Sequence, residues 1–229
     1  MEAFATLDRI DSRSLAAEPP IQILTLTTLS EFSFEAGQYL EVLHPDRTAI
    51  PLSIASTPEQ LPQLTLHYRS TPGNPEAERM DELLQGSRLH LRGGAGNIRL
   101  AADDDRPLVL IAGGTGISQA LSLASAQAQR HPDSPVQLLA CADDERDLYF
   151  DDLLPATPGF HCERVADARR DPSNRSLAWL RANARRWGDA ARVILSGSPP
   201  FVYAATDVLV AQGRAEESLE SDVYAWAPR

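Results

Sequence analysis

The most constraining stretch of this chain is an apolar run that ends in glycines and passes directly into a helical pattern. Residues 108–114 read LVLIAGG and residues 115–130 read TGISQALSLASAQAQR. A short, unbroken apolar run suits a strand buried on both faces, as in parallel sheets. The Ala-, Leu- and Gln-rich stretch behind it suits a helix. The alternation then repeats. Strands are predicted at 136–142, 160–166 and 192–199, and helices at 147–154, 176–186 and 201–213, the last closed by Gly213. Such alternation builds an α/β doubly wound parallel sheet.

The first hundred residues have a different rhythm. Short strands are predicted at 21–29, 38–44, 49–56, 63–69 and 87–93, separated by Pro-, Asp- and Asn-rich turns. One helix is predicted at 75–86, with Pro75 in its first turn and Gly86 at its end. Many short strands with one helix point to a small antiparallel β-barrel. The charged segment AADDDRP at 101–107 marks the change of pattern, which divides the chain into a barrel domain over 1–102 and an α/β domain over 103–229.

Composition removes several function classes. The 229 residues carry 21 basic and 32 acidic side chains, a net charge of −11. That surface repels nucleic acid and anionic membranes. Cys141 and Cys162 are too few for the thiolates of an iron–sulfur cluster, and the histidines show no metal-ligand spacing, so no metal site is expected. No apolar run approaches the roughly 18 residues of a membrane span. The N-terminus lacks the long apolar region of a signal peptide. A cytoplasmic protein is therefore expected.

Glycines cluster twice, at Gly93-Gly94-Ala95-Gly96 and at Gly113-Gly114-Thr115-Gly116. The second cluster closes a strand and opens a helix, so its N–H groups and the helix N-terminus face one crevice. That arrangement suits the diphosphate of a dinucleotide. The same spacing equally suits a tight strand-to-helix turn with no ligand.

The order of motifs resembles the ferredoxin–NADP reductase superfamily, in particular its NAD(P)H:flavin reductase branch. The matching pieces are AGQYLEV (36–42), PLSIAS (51–56), LTLHYR (64–69), RGGAGNIRL (92–100), LVLIAGGTGIS (108–118), DLYF (147–150), ILSGSPPFV (194–202) and SDVYAW (221–226). They run in the family's order and cover nearly the whole chain. The resemblance implies an N-terminal flavin-binding barrel, a C-terminal nicotinamide-binding α/β domain, and hydride transfer in the cleft between them.

Residue by residue, the resemblance is uneven. Where the family has a strand ending R-x-Y/F-S against the flavin, this chain reads Ile50-Pro51-Leu52-Ser53. Ser53 maps onto the hydroxyl beside flavin N5, with Pro51 and Leu52 in the same contact. Ile50 replaces the arginine that meets the flavin phosphate, and Asn74-Pro75 stand in the turn where a Ser or Thr makes the second phosphate contact. The implied flavin (riboflavin, FMN or FAD) is therefore loosely held, closer to a diffusing substrate than to a prosthetic group. Restoring the guanidinium with Ile50→Arg is expected to tighten FMN and FAD alone. His67 and Tyr68 fall on the strand beside the isoalloxazine, although a lone strand histidine is more often structural.

On the nicotinamide side, Gly113, Gly114, Thr115 and Gly116 map onto the diphosphate loop. Thr115 is placed to touch both cofactors and, with Ser53, is assigned to the hydride-transfer centre. Cys141-Ala142-Asp143 stands where the family carries G-x-R against a 2′-phosphate. Asp143, followed by Asp144 and Glu145, favours NADH over NADPH, while the same acids also suit a solvated loop. Ser196, Gly197, Ser198 and Pro199 occupy the turn near the nicotinamide. Tyr224 and Trp226, on a terminal strand, are implied to shield the flavin face and equally suit core positions.

Three readings follow. The first is an NADH- or NADPH-dependent flavin reductase acting on a diffusible flavin. The second is an FAD-containing reductase that passes electrons to an acceptor protein or oxygenase. The third is a flavin- or nucleotide-binding module without turnover.

Overall fold

The computed structural model describes residues 1–13, 19–167 and 174–229. The barrel half is a six-stranded antiparallel sheet of β1 (Glu2–Arg13), β2 (Ile21–Thr28), β3 (Tyr39–Leu43), β4 (Ala49–Ser53), β5 (Gln63–Tyr68) and β6 (Arg88–Ala95), in the order β4-β3-β6-β1-β2-β5. Just beyond β4 the chain meets β5. Ile54 bridges Leu66, and the Ala55 N–H donates to the Thr65 carbonyl at 2.8 Å. The two edges of the sheet thereby meet and close it into a barrel. Period-two alternation fills the interior with Leu24, Leu26, Leu40, Leu64, Leu66, Leu89 and Leu91. Met80 of helix α1 (Pro75–Leu83) joins that core; the Asn74 side chain caps α1 by accepting from the Glu76 and Ala77 N–H groups.

Strand β1 is absent from the strands predicted by sequence, which begin at Ile21. Its bulge between Leu7 and Arg9 breaks the alternation that would have revealed it.

The second sheet is parallel: β7 (Leu108–Gly113), β8 (Val136–Ala142), β9 (Phe160–Ala166), β10 (Arg192–Ser196) and β11 (Leu219–Glu220), in the order β11-β10-β7-β8-β9. Helices α2 (Ile117–Arg130), α3 (Arg175–Asn183) and α4 (Pro199–Ala211) cover its two faces. Leu108, Leu110 and Ala112 pack with α2, while Val109 and Ile111 pack with α3 and α4, which is why the run is apolar without a break. The expected pairing of antiparallel barrel and doubly wound sheet is borne out.

Helix α2 lies between the two layers, sharing a core with Ala36, Ile98 and Leu100 of the barrel side. Its polar residues are buried and bond across the junction. Ser122 donates to the Ser56 carbonyl at 2.8 Å, and Gln119 donates to the Gly37 carbonyl at 2.7 Å.

Two predicted elements differ. Residues 147–154 do not form an α-helix; short 3-10 turns at Glu145–Asp147 and Asp151–Leu153 flank an extended piece whose side chains bond to the barrel. The predicted terminal strand is a one-turn helix, α5 (Val223–Trp226), because Asp222 turns the chain to bond with the barrel loop at Asn97. Among the described residues no helix is long and apolar enough to cross a membrane. No group of His, Cys, Asp and Glu among them could hold a metal ion.

Candidate active site

Strand β7 is the point at which the chain reverses its direction through the parallel sheet: β8 and β9 add on one side of it, β10 and β11 on the other. The loops after β7 and β10 therefore diverge and leave a crevice at the carboxyl ends of the strands. Gly116 packs directly on the β10 loop. A Cβ there would lie 2.6 Å from the Gly197 nitrogen and the Ser196 carbonyl carbon, so only glycine fits. Ser196 Oγ ties the two loops together by donating to the Gly116 carbonyl at 2.9 Å.

The barrel supplies the opposite wall. On β4, alternation sends Ala49, Pro51 and Ser53 to the crevice and Ile50 into the barrel core. The resulting cavity has a volume of about 570 Å³. Pro51, Leu52, Ser53 and His67 line it from the barrel; Thr115, Gly116, Ser196 and Gly197 line it from the parallel sheet, and Trp226 stands at its rim with 62% of its surface exposed.

His67 is 3% exposed. Its Nδ1 lies 2.7 Å from the Tyr149 hydroxyl, and its Nε2 is buried with no hydrogen-bond partner. Burial, reinforced by the positive charge of Arg13, pushes its pKa down to about 4, so the ring is neutral. Tyr68 points the other way. Its hydroxyl lies 3.0 Å from the Ala77 carbonyl and 2.9 Å from an Asp81 carboxylate oxygen, which share its one proton, inside the barrel and away from the cavity.

Other sequence-predicted residues also fall outside the cavity lining. Gly113, Gly114, Ser198, Pro199 and the exposed Asp143 lie at the carboxyl end of the parallel sheet beyond it. The Tyr224 hydroxyl shares a hydrogen bond of 2.6 Å with that of Thr206, and its ring packs against Tyr203, which places it in the α4 core. Trp226, two residues on, reaches the cavity because α5 turns the two aromatics in different directions.

The polar lining holds residues that motif reading missed: Glu41, Glu76, Gln119 and Asp222. Three are carboxylates, and among the described residues no arginine lines the cavity. Glu41 pairs with Arg92 at 2.6 Å; Asp222 accepts from the Asn97 N–H at 2.7 Å and from Gln119 at 2.9 Å. Glu76 is exposed on the first turn of α1. The one available signal was its place after Asn74-Pro75, where an acid favours a helix N-terminus. Neither nearby guanidinium replaces the missing arginine in the lining. Arg69 is bound to Asp147 at 2.7 Å, and Arg47 sits exposed in the β3–β4 turn at φ 75°. Ile50 itself is 4% exposed in the barrel core, so Ile50→Arg would bury an unpaired charge and is not a clean restoration.

Ring and tail of a flavin placed here would meet different surroundings. The orphaned Nε2 and the apolar wall of Pro51, Leu52 and Trp226 fit a planar, polar-edged ring, whereas the carboxylates do not fit a phosphate.

No family model matches the chain. It is 29% identical over 237 aligned positions to reductase component 1 of terephthalate 1,2-dioxygenase from Comamonas sp, an alignment covering 96% of this chain and 68% of that protein. It is 32% identical over 131 positions to the NAD(P)H-flavin reductase of Vibrio harveyi, covering 55% of each. Among solved structures, a cytochrome P450 reductase from Amycolatopsis superposes with a TM-score of 0.79 at 26% identity, over 97% of this chain and 69% of that one. The ferredoxin–NADP+ reductase of Plasmodium falciparum reaches the same TM-score of 0.79 at 12% identity, over 96% of this chain and 95% of that one, a likeness of fold alone. The chain thus spans about two thirds of the oxygenase-type reductases and nearly all of the ferredoxin–NADP+ reductase. By its relatives and its fold, the chain is similar to the oxidoreductases of the ferredoxin–NADP+ reductase superfamily.

Proposed function

We propose that the protein transfers a hydride from NADH to a loosely bound flavin in the cavity between the barrel and the parallel sheet. The observation that carries this reading is the meeting of Ser53 and His67 from one layer with Thr115, Gly116, Ser196 and Gly197 from the other around one cavity. A bound flavin supplies an acceptor of two electrons at its N5, and reduced nicotinamide supplies the donor. The chain supplies positioning. Ser53 offers a hydroxyl at the barrel wall and Thr115 one at the facing wall; the Gly116–Gly197 contact lets backbone come close to a ligand. Trp226 covers the open side, limiting water and yielding when a nicotinamide ring enters.

We assign flavin binding to residues 1–102 and nicotinamide binding to 103–229. The acidic lining disfavours phosphate, which supports a flavin held by its ring. Asp143, exposed beyond β8, supports NADH as donor by repelling a 2′-phosphate. Cys141 and Cys162 are unpaired, which fits a reducing, cytoplasmic setting. The electrons then pass to an acceptor. An oxygenase component is the acceptor that the names of the Comamonas and Amycolatopsis relatives suggest.

The test is the visible spectrum of the purified protein, followed by NADH oxidation with riboflavin, FMN and FAD added separately. The reading expects a colourless protein whose NADH oxidation requires added flavin. A yellow protein active without added flavin would favour a resident FAD, and no oxidation with any flavin would overturn the proposal.

A further inference from the structure

The DLYF segment has no part in the chemistry above, yet it carries the contact that shapes the barrel wall of the cavity. Instead of coiling into a helix it lays Asp147 and Tyr149 against β5. Asp147 pairs with Arg69 at 2.7 Å, and the Tyr149 hydroxyl lies 2.7 Å from His67 Nδ1, with the two rings edge to face at 5.4 Å. Burial holds the Tyr149 phenol above its usual range and the His67 imidazole below its own, so both groups are neutral.

A neutral pair at this distance can be joined in two directions. With the proton on His67 Nδ1, the imidazole donates, the Tyr149 hydroxyl proton finds no acceptor among the described residues, and Nε2 keeps an unmet lone pair. With the phenol as donor, the only unmet group is the Nε2–H. Leaving one buried polar group unmet costs less than leaving two. The remaining N–H belongs to a residue that lines the same cavity as Ser53 and Thr115.

We propose that Tyr149 is a positioning residue: by donating to Nδ1 it fixes His67 as the Nε2–H tautomer and turns that N–H into a donor for the ring of a flavin in the cavity. This rests on the flavin reading above. The isoalloxazine ring carries carbonyl oxygens and ring nitrogens that accept hydrogen bonds, and every flavin shares them, so the contact is independent of the phosphate tail. It also makes the flavin wall depend on a side chain from the nicotinamide half. Docking of the two layers and flavin binding are coupled through one hydrogen bond.

Two measurements test it. The first is ¹⁵N NMR of histidine-labelled protein without flavin, with the His67 signals assigned by their loss in His67→Phe. Wild type should carry the proton on Nε2, and Tyr149→Phe should show a mixture of tautomers. A proton on Nδ1 in wild type overturns the proposal. The second is riboflavin titration by fluorescence. His67→Phe should weaken binding roughly tenfold and Tyr149→Phe about threefold, with the double variant no weaker than His67→Phe alone. Unchanged riboflavin affinity in Tyr149→Phe also overturns it. If wild type binds no flavin, the flavin reading falls and the donor role falls with it, while the NMR result still decides the tautomer.

Discussion

Ser53 faces the cavity because it shares a strand face with Ala49 and Pro51; Ile50, three residues earlier, faces the core for the same reason. Ser53→Ala should remove one hydrogen bond at the reacting centre and slow flavin reduction by about 1–3 kcal/mol of barrier, if the bond strengthens in the transition state. Stopped-flow reduction by NADH measures this, and an unchanged rate would refute the role. Asp143→Arg should narrow or reverse the proposed preference for NADH by giving a 2′-phosphate a partner. Comparison of kcat/KM for NADH and NADPH checks it; a wild type that prefers NADPH contradicts the assignment. Ile50 is buried in the barrel core, whereas Glu76 is exposed at the cavity. Glu76→Arg should tighten FMN roughly tenfold and leave riboflavin unchanged. Equal gains for both flavins would show that charge at this position does not select the tail. The motif alignment pointed to an absent arginine, but the facing of side chains decided where a cation could act.

At the scale of elements, the parallel half was legible because each strand is a dense local signal. The apolar run of β7 and the glycines behind it need no distant partner to be recognised. The reason those glycines are required is not local. Gly116 is confined by the backbone of residues 196–197, eighty positions on. Gly116→Ala should push the two loops apart, lowering stability by about 1–3 kcal/mol and weakening NADH binding more than riboflavin binding. Calorimetry and separate titrations of the two ligands test this; equal weakening of both would point to general unfolding of the crevice. Residues 147–154 show the reverse case. Their apolar spacing suits a helix, but Asp147 and Tyr149 find partners just after and on β5, Arg69 and His67, that a helix would not let both reach. In α2, the buried Ser122 and Gln119 are the polar contacts that join barrel to sheet.

Across the whole molecule, burial of His67 between the two layers links stability to pH. Folded, the imidazole stays neutral until about pH 4; its ordinary pKa is 6.5. Between these values the unfolded chain binds a proton that the folded one does not, so stability falls as the pH is lowered through this window, by at most about 1.4 kcal/mol per pH unit. His67→Gln should flatten that decline, as followed by urea unfolding at several pH values. Parallel slopes for wild type and variant would show that His67 is not the group responsible.

The sequence by itself determined the two-layer architecture and the switch-point loops, while the resemblance of its motifs singled out Ser53, Thr115 and Gly116. Strand period, glycine and proline placement and helix caps all act within a few residues, so they can be read without knowing the fold. Only the tertiary structure decided which of the motif residues face the cavity, that Tyr68 and Tyr224 turn into cores, that Glu41, Glu76 and Asp222 make the lining acidic, and that Tyr149 reaches His67. Those outcomes depend on strand register and on contacts between residues far apart in the chain, where a rotation by one position sends a side chain to the opposite face.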